Sequence, residues 1–337
     1  MRKYLLPATG NDYKANLHCH TNVSDGRQSP EEMKADYMAQ GYSIIAFTDH
    51  DILIPHPELA EENFLPLNSF EVEINQPDVE EKSARKTCHI CMIALEPDNI
   101  TMPFWHREKY LFGNAVKYHD QVKFDESKPD YERRYTAEGI SEIMRMGRDA
   151  GFFVTYNHPR WSQENYAQYS GYVGMNAMEI CNFACCYEGY DDHNGAVYDD
   201  LLRGGQRIFC TANDDNHKYE DRFGGFTVIR ADKLEYRTIT RALEEGNFYA
   251  SEGPTIGELW YEDGQLHVTC SDAREITLCK GTRRNKPIRG ENGAPVNEAT
   301  FPVVPEDVYV RVTVTDFAGN KAYTNAYFVD ELMREDN

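Results

Sequence analysis

The sequence predicts an α/β protein that ends in a small antiparallel β domain. Two observations predict this architecture. Apolar, strand-like runs alternate with helix signals from about residue 15 to 250, and short strands separated by tight turns follow. A chain of 337 residues is long enough for one large domain and one small one. We therefore expect a large domain over residues 1–252 and a small β-sandwich over residues 253–337.

The first part of the chain contains one well-marked helix among several strands. A capping-box pattern with proline at the first helical position begins this helix at Ser29, and Gly41 ends it. The apolar run that follows is typical of a strand buried on both faces. The strands in this part are expected at residues 16–20, 42–47, 64–74 and 88–95.

The second part continues the alternation and then changes character. Helices are expected at about 136–150 and 233–245, and strands at 152–156, 177–180 and 207–211. Beyond residue 253, an Asp263-Gly264 turn joins two strands, as in a β-hairpin. Alternating side chains predict two further strands, at 309–316 and 323–329.

Residues 97–135 fit neither pattern. The segment is rich in aromatic and basic side chains and is too long for an ordinary connection. Two interpretations stay open. The segment is either a packed insertion or a lid that contributes to substrate recognition.

The charge and the apolar runs exclude some classes of function. The net charge is −21, so the chain lacks the overall basic character of duplex-binding proteins and would repel anionic membranes. No apolar run is long enough to span a bilayer or to form a signal peptide, so we expect a cytoplasmic protein. The nine cysteines are expected to be reduced thiols, and Cys181, Cys185 and Cys186 have no zinc-knuckle partner.

Histidines and carboxylates recur at the ends of the predicted strands. His18 and His20 alternate on one strand and share a face. Other candidates at or near strand ends are Asp25, His50, Glu71, Glu73, His89, His158, Asp215 and His217. Mixed imidazole and carboxylate ligands favour zinc, manganese or iron over calcium. Because the candidates exceed the needs of one ion, we expect two or three divalent ions close together.

In this order the motifs resemble the PHP superfamily, the polymerase and histidinol phosphatase family of metal-dependent phosphoesterases. The resemblance spans about residues 14–250, and the end of the chain resembles the β-sandwich that follows some members. The motifs are His18-x-His20, Ser24-Asp25-Gly26, Thr48-Asp49-His50-Asp51, Phe70-Glu71, His89, Asn157-His158-Pro159 and Asp215-x-His217.

The resemblance implies a distorted (βα)₇ barrel that carries up to three metal ions at one rim. It assigns His18, His20, Asp215 and a bridging Glu71 to the first ion. The second ion takes Glu71, His89 and His158, and the third takes Asp25, His50 and His217. Glu73 remains an alternative to Glu71. The other histidines are assigned surface or packing roles: His56, His106, His119, His193 and His267.

The implied activity is hydrolysis of a small phosphomonoester or a nucleotide-type phosphate by a water that bridges two metal ions. Arg160 follows a metal ligand and is the first candidate for a phosphate clamp, ahead of Arg27 and Arg222. Two alternatives remain, an amidohydrolase-type reaction and a metal-bound scaffold without activity. The expected partner is a small phosphorylated substrate, and the sequence predicts no oligomeric state.

Overall fold

The computed structural model describes residues 2–334. Within that range the chain forms seven α-helices and twenty strands. The helices are α1 (Pro30–Ala39), α2 (Ala137–Asp149), α3 (Tyr166–Tyr169), α4 (Phe183–Tyr187), α5 (Gly195–Arg203), α6 (Tyr236–Glu245) and α7 (Val329–Leu332). The first ten strands are β1 (Lys3–Tyr4), β2 (Asn11–Asn16), β3 (Tyr42–Phe47), β4 (Leu65–Asn75), β5 (Thr87–Ala94), β6 (Thr101–Met102), β7 (Lys123–Phe124), β8 (Phe152–Tyr156), β9 (Ala177–Asn182) and β10 (Phe209–Asn213). The others are β11 (Phe226–Ala231), β12 (Phe248–Ser251), β13 (Ile256–Glu262), β14 (Gln265–Ala273), β15 (Glu275–Lys280), β16 (Lys286–Arg289), β17 (Val296–Pro302), β18 (Tyr309–Thr315), β19 (Lys321–Thr324) and β20 (Tyr327–Phe328).

One large mixed sheet organises the molecule. Its strand order is β10-β9-β8-β5-β4-β3-β2-β11-β12-β19-β18-β15-β16, and β20 pairs with β18. The neighbours β2, β3 and β4 run parallel, as do β8, β9 and β10. Strand β5 runs antiparallel to both β4 and β8. A smaller sheet has the order β1-β13-β14-β17.

The mixed α/β architecture is confirmed, but a closed (βα)₇ barrel is not. Over residues 2–334 the ladder of paired strands is open, with β10 at one end and β16 at the other. The nearest approach to closure is a single bridge between Cys19 and Asn216. A (βα)₇ barrel would have a regular succession of parallel strands, each joined to the next by a crossover connection. Strand β5 interrupts that succession, because it runs antiparallel to both of its neighbours.

The described helices are all too short or too polar to cross a membrane.

Capping chemistry places the helix boundaries close to the predicted ones. Ser29 accepts a hydrogen bond from the Glu32 amide, and the Glu32 carboxylate accepts one from the Ser29 amide, so the predicted capping box is present. Thr136 caps α2 with a single hydrogen bond, in which its hydroxyl accepts from the Gly139 amide. The first predicted strand, 16–20, is wrong in position because β2 ends at Asn16 and the two histidines lie beyond it.

The end of the chain does not form an isolated sheet. Strand β19 pairs with β12, so the large sheet runs on into the C-terminal strands. Strand β1, from the start of the chain, pairs with β13 in the smaller sheet. Side chains of the two sheets share one core cluster, which includes Leu259, Leu266, Ile276 and Val312. A separate sandwich is not confirmed, and the boundary at residue 252 stays a prediction.

The segment over 97–135 packs into the main core and also reaches the predicted site. Phe104 and Trp105 are buried in the largest core cluster. The Phe112 ring lies 5.1 Å from the ring of His50. The two interpretations of this segment are therefore compatible, since one part packs and another part faces the histidines.

Candidate metal centre

The nine predicted ligand residues lie together at one edge of the large sheet. His18 and His20 follow β2, His50 follows β3, His158 follows β8, and Asp215 and His217 follow β10. These strands are parallel to their neighbours in two groups, so their carboxyl ends meet at the same edge. His89 lies near the start of β5, and the antiparallel direction of β5 brings that end to the same edge. The sheet thus gathers residues that are up to two hundred positions apart.

Glu71 is the centre of the cluster. It is fully buried, and its Oε1 atom lies 3.0 Å from Nε2 of His18. Its Oε2 atom lies 3.3 Å from Nδ1 of both His50 and His89. Glu73 is two residues further along β4 and half-buried, and its carboxylate accepts a hydrogen bond from Asn75. The structure therefore places Glu71, and not Glu73, among the imidazoles.

Asp215 faces Glu71 across the histidine pair. Its Oδ1 atom lies 3.1 Å from Nε2 of His18 and 3.0 Å from Nε2 of His20. The backbone of Asp215 is left-handed, with φ of +53°, and His158 has a φ of +21°. Such conformations are uncommon for residues other than glycine and concentrate at functional sites. They turn both side chains into the cluster directly after their strands end.

Asp25 forms the outer side of the cluster. Its carboxylate lies 3.6 Å from His217 and 3.9 Å from both His20 and His50. Asp49 fixes the loop that carries it, because the Asp49 carboxylate accepts hydrogen bonds from the amide and hydroxyl groups of both Thr21 and Ser24. The Asp25 side chain is 34% exposed, so this side of the cluster opens to solvent.

Several buried nitrogen and oxygen atoms of the cluster, which could coordinate a metal ion, have no hydrogen-bond partner in the protein. Within residues 2–334 these include His20 Nδ1, His50 Nδ1, His89 Nε2, Glu71 Oε2 and Asp215 Oδ1. The Nε2 atoms of His18 and His20 also face each other at 3.3 Å. Unsatisfied buried polar atoms are costly, and nitrogen and oxygen atoms that converge in this way are typical of metal ligands. The residues present therefore fit a cluster of divalent cations.

The closest groups of donor atoms differ in detail from the sets that the resemblance implied. Four groups fall within 4.8 Å: His18, His158 and Asp215; His50, Glu71 and His89; His20, Asp25, His50 and His217; and His18, Glu71 and the buried thiol of Cys91. His158 thus lies with His18 and Asp215 instead of with His89. The assignment of each residue to one ion is treated below as a proposal.

Buried carboxylates dominate the electrostatics of the cluster. Burial lowers the pKa of His18, but Asp215 and Glu71 outweigh burial and raise that pKa well above its usual value. For His20 the same competition raises the pKa to about 10. Burial would raise the pKa of Glu71, yet the surrounding imidazoles hold it well below its usual value. Negative charge is therefore concentrated where a cation would bind.

A family model named PHP domain matches residues 16–202, more than half of the chain. The chain belongs to the PHP domain family. All nine candidate ligands except Asp215 and His217 lie inside the matched range. No curated protein matches the chain significantly.

Three solved structures to which this PHP domain protein is similar share little sequence with it. A two-domain protein from Bacteroides vulgatus, assigned a PHP-like metal-dependent phosphoesterase domain, is 14% identical, with 96% of this chain and 98% of that one covered and a TM-score of 0.45. An amidohydrolase from Chromobacterium violaceum with bound sulfate and no metal is 17% identical, with 61% and 88% covered and a TM-score of 0.41. A protein from Bifidobacterium adolescentis assigned as a metal-dependent phosphoesterase is 16% identical, with 63% and 89% covered and a TM-score of 0.39.

A second layer of polar side chains orients the candidate ligands, and the motifs did not reveal it. Glu179 on β9 is fully buried, and its Oε1 atom lies 3.1 Å from Nδ1 of His18. Glu179 also accepts hydrogen bonds from the side chains of Asn182 and Asn213. A carboxylate on the second ring nitrogen of a ligand histidine fixes its tautomer and orientation. The signal in the sequence was an acidic residue inside an apolar strand run.

Seven of the nine candidate ligands form the floor of a cavity of about 520 Å³, which His18 and His20 do not line: Asp25, His50, Glu71, His89, His158, Asp215 and His217. Phe112 and Trp161 are aromatic members of its wall, and Arg27 and Lys218 are the basic side chains in the described lining. Arg160 is exposed and lies outside this lining. Arg222 also lies outside it and donates to Gln28 and Asp36. Of the three arginines considered from sequence, only Arg27 thus reaches the cavity.

Proposed function

We propose that the protein hydrolyses small phosphate esters, phosphomonoesters or nucleotide-type phosphates, with two or three divalent ions of zinc, manganese or iron. The observation that carries the proposal is the convergence of Glu71, Asp215 and the imidazoles on the floor of one cavity. Their unpartnered buried atoms support a metal role for the nine residues. Membership of the PHP domain family supports it independently.

The chain's own residues hold the cations and leave one side open. Glu71 lies between the histidine groups and is the proposed bridging ligand, and Asp215 closes the inner side. Asp25, His50 and His217 form the outer group next to solvent. Divalent ions held there would supply Lewis acidity that neutralises phosphoryl oxygens and lowers the pKa of water. Glu179 keeps the His18 ring oriented with Nε2 toward the cluster.

The cavity favours a small substrate. Its volume lies within the range typical of small-molecule sites. Arg27 and Lys218 offer positive charge at its wall, where a guanidinium can bind phosphate oxygens in two hydrogen bonds. The net charge of −21 disfavours duplex nucleic acid as a substrate. We therefore propose Arg27 as the phosphate clamp in place of the first sequence candidate, Arg160, and parallel variants of the two arginines test this choice.

The test is an assay of the purified full chain after incubation with Mn²⁺ or Zn²⁺. Suitable substrates are p-nitrophenyl phosphate, its diester and nucleoside bisphosphates, with the His18→Ala/His20→Ala double variant as the control. We expect turnover by the wild-type chain and a loss of at least 100-fold in the double variant, on the order of a missing metal site. Equal rates for the two proteins on every ester would overturn the proposal. Release of ammonia or a carboxylate from amide substrates, with esters untouched, would instead support the amidohydrolase alternative.

A further inference from the structure

A second cluster of side chains that could bind a metal ion lies next to the nine candidate ligands described above, which we call the PHP centre. It shares no residue with them. It consists of Cys181, Cys186 and His193, whose donor atoms all lie within 4.8 Å of one another. Two of its members were assigned as ordinary thiols from sequence, and His193 was assigned a surface or packing role. The His193 imidazole is the additional potential metal ligand that the cysteines lacked in the sequence pattern.

The local fold brings the three residues together. Cys181 lies near the end of β9, and Cys186 lies one turn into α4. Asn182 caps α4 by accepting a hydrogen bond from the Cys185 amide, which fixes the corner between the strand and the helix. An isolated bridge pairs the backbones of Cys181 and His193. The cluster is therefore built by main-chain hydrogen bonds and does not depend on chance side-chain proximity.

A carboxylate orients the imidazole toward the thiols. Oε1 of Glu252 lies 2.8 Å from Nε2 of His193, and Nδ1 of the same ring lies 3.7 Å from Sγ of Cys186. This arrangement, with a carboxylate on one nitrogen and the other nitrogen facing soft ligands, is the one that metal-binding histidines adopt. The other oxygen of Glu252 is buried and has no partner among the described residues.

We infer that Cys181, Cys186 and His193 form a separate site for a thiophilic divalent ion of the zinc type, with Glu252 as the positioning carboxylate. The ligand atoms are the two Sγ atoms and Nδ1 of His193, and both thiols lose their protons on binding. Water or the exposed carboxylate of Asp191, whose Oδ1 lies 3.5 Å from Nδ1, completes a tetrahedral set. Two thiolates distinguish this site chemically from the PHP centre, whose nine ligands are nitrogen and oxygen donors.

The access to solvent agrees with this site. The hydrogen bond with Cys181 lowers the pKa of the Cys186 thiol and raises that of the Cys181 thiol, and contacts with Cys186 and Glu252 raise the pKa of His193 to about 10. A bound ion therefore displaces protons from Cys181 and His193. Cys186 is half-buried, and the His193 side chain is 34% exposed, so an ion can enter from solvent. Cys181 is fully buried behind them.

The site would tie the PHP centre to the start of the C-terminal strands. Glu252 directly follows β12, and its amide donates to the Lys321 carbonyl. Asn182, between Cys181 and α4, donates through its side chain to both Glu179 and Asp215. An ion bound to the two cysteines would therefore hold in place the segment that supports Asp215. We assign this second ion a structural role.

The test is Co²⁺ substitution of the full chain, monitored by absorption. Thiolate ligands give cobalt a charge-transfer band in the near ultraviolet, and the nitrogen and oxygen ligands of the PHP centre do not. We expect the band in the wild-type chain, in Cys270→Ser and in Cys91→Ala, which removes the thiol next to the PHP cluster. We expect no band in Cys186→Ser and a cobalt affinity about 10- to 100-fold lower in Glu252→Gln.

Four outcomes would overturn the inference. They are no band in the wild-type chain loaded with cobalt, a band that persists in Cys186→Ser, a band that disappears in Cys91→Ala, and a Cys181–Cys186 disulfide in protein purified without reductant. If Cys186→Ser does not fold, His193→Gln and the wild-type chain decide the question. Zn²⁺ should then protect Cys186 from alkylation in the wild-type chain but not in His193→Gln, and equal labelling in both would contradict the site.

Discussion

Glu71 occupies an energetically demanding position. A fully buried carboxylate is costly unless charges or hydrogen bonds compensate for the loss of water, and here imidazoles surround it on several sides. Asn157 adds a hydrogen bond to Oε1. This environment explains why the chain tolerates a fully buried acid in the middle of β4.

We predict that Glu71→Gln removes at least one metal ion per chain. The substitution keeps the size of the side chain but removes the charge that two groups of histidines share. Elemental analysis of the purified protein measures the change. Glu73→Gln is the matched control from the same strand and should retain the wild-type metal content. The reverse pattern would make Glu73 the bridging ligand.

We predict that Arg27→Gln lowers kcat/KM for a phosphomonoester by roughly 10- to 100-fold, the usual range for the loss of a hydrogen bond to a charged group. Steady-state kinetics of Arg27→Gln and Arg160→Gln, at equal metal content, measure the effect. Arg27 lines the cavity and Arg160 does not, so Arg160→Gln should resemble the wild-type protein. A larger loss in Arg160→Gln would restore the first sequence candidate.

At this scale the sequence was most informative about residues with an unusual chemistry. An imidazole or a carboxylate that interrupts an apolar strand costs free energy when it is buried. Such residues could therefore be recognised as functional candidates and grouped from the sequence alone. Arg160 could not be placed in this way, because the direction of a side chain after a strand depends on the turn. His158 has a φ of +21°, and Arg160, two residues further on, is exposed and lies outside the described lining of the cavity. Glu179 was missed because its partner His18 is 161 positions away in the chain.

At the scale of elements, the loop between β2 and α1 positions Asp25 through a very close backbone approach. A Cβ atom at Gly26 would lie 2.1 Å from the carbonyl oxygen of His20, so no larger residue fits without movement of the loop. The Gly26 amide also donates to the Thr21 carbonyl.

We predict that Gly26→Ala displaces this loop and abolishes most of the activity. Asp25 would move away from His50 and His217, and the outer metal group would lose a ligand. Metal content and phosphatase activity measure the effect. Gly41→Ala is the control, since Gly41 has a φ of +78° but open space around it. It should cost about 1 kcal/mol of stability and leave the metal content unchanged. Full activity in Gly26→Ala would contradict the role of the loop.

The boundaries of the elements followed from local chemistry where a cap was present. Ser29 and Thr136 fixed two helix starts to within a residue. The first strand was displaced, because the histidine segment reads as a strand in isolation. In the structure it leaves the ladder and joins Asn216 through one bridge. The pairing of distant segments decided that position, and the local sequence does not encode it.

At the scale of the whole molecule, a buried ion pair joins the two predicted domains. Arg311 on β18 donates two hydrogen bonds to the Asp199 carboxylate on α5, both of 2.9 Å, and Tyr309 donates a third. The Arg311 side chain is only 5% exposed. Removal of one partner from such a pair leaves an uncompensated buried charge.

We predict that Asp199→Ala lowers the free energy of unfolding by about 3–5 kcal/mol. Urea titration monitored by circular dichroism measures it. Glu262→Ala disrupts the exposed pair with Arg2 and should cost less than about 1 kcal/mol. Equal effects of the two substitutions would show that the Arg311 pair adds nothing to the junction.

The overall architecture was predictable only in its class. Alternating strands and helices predicted the α/β class, which is confirmed. The sequence could not predict that β12 and β19 pair across the expected boundary at residue 252. The free edge of a strand can pair with any strand that packs beside it, and the packing of distant segments decides which one does. The barrel and the separate sandwich failed to be confirmed for this reason, since one open ladder connects both parts of the chain.

Anomalous diffraction from crystals of the full chain grown with Mn²⁺ tests most directly whether these residues bind a cluster of metal ions. We predict two or three anomalous peaks on the cavity floor, with Glu71 and Asp215 among the nearest side chains and His50, His89 and His158 around them. An empty cavity floor at full manganese loading, or imidazoles that turn away from one another, would contradict it.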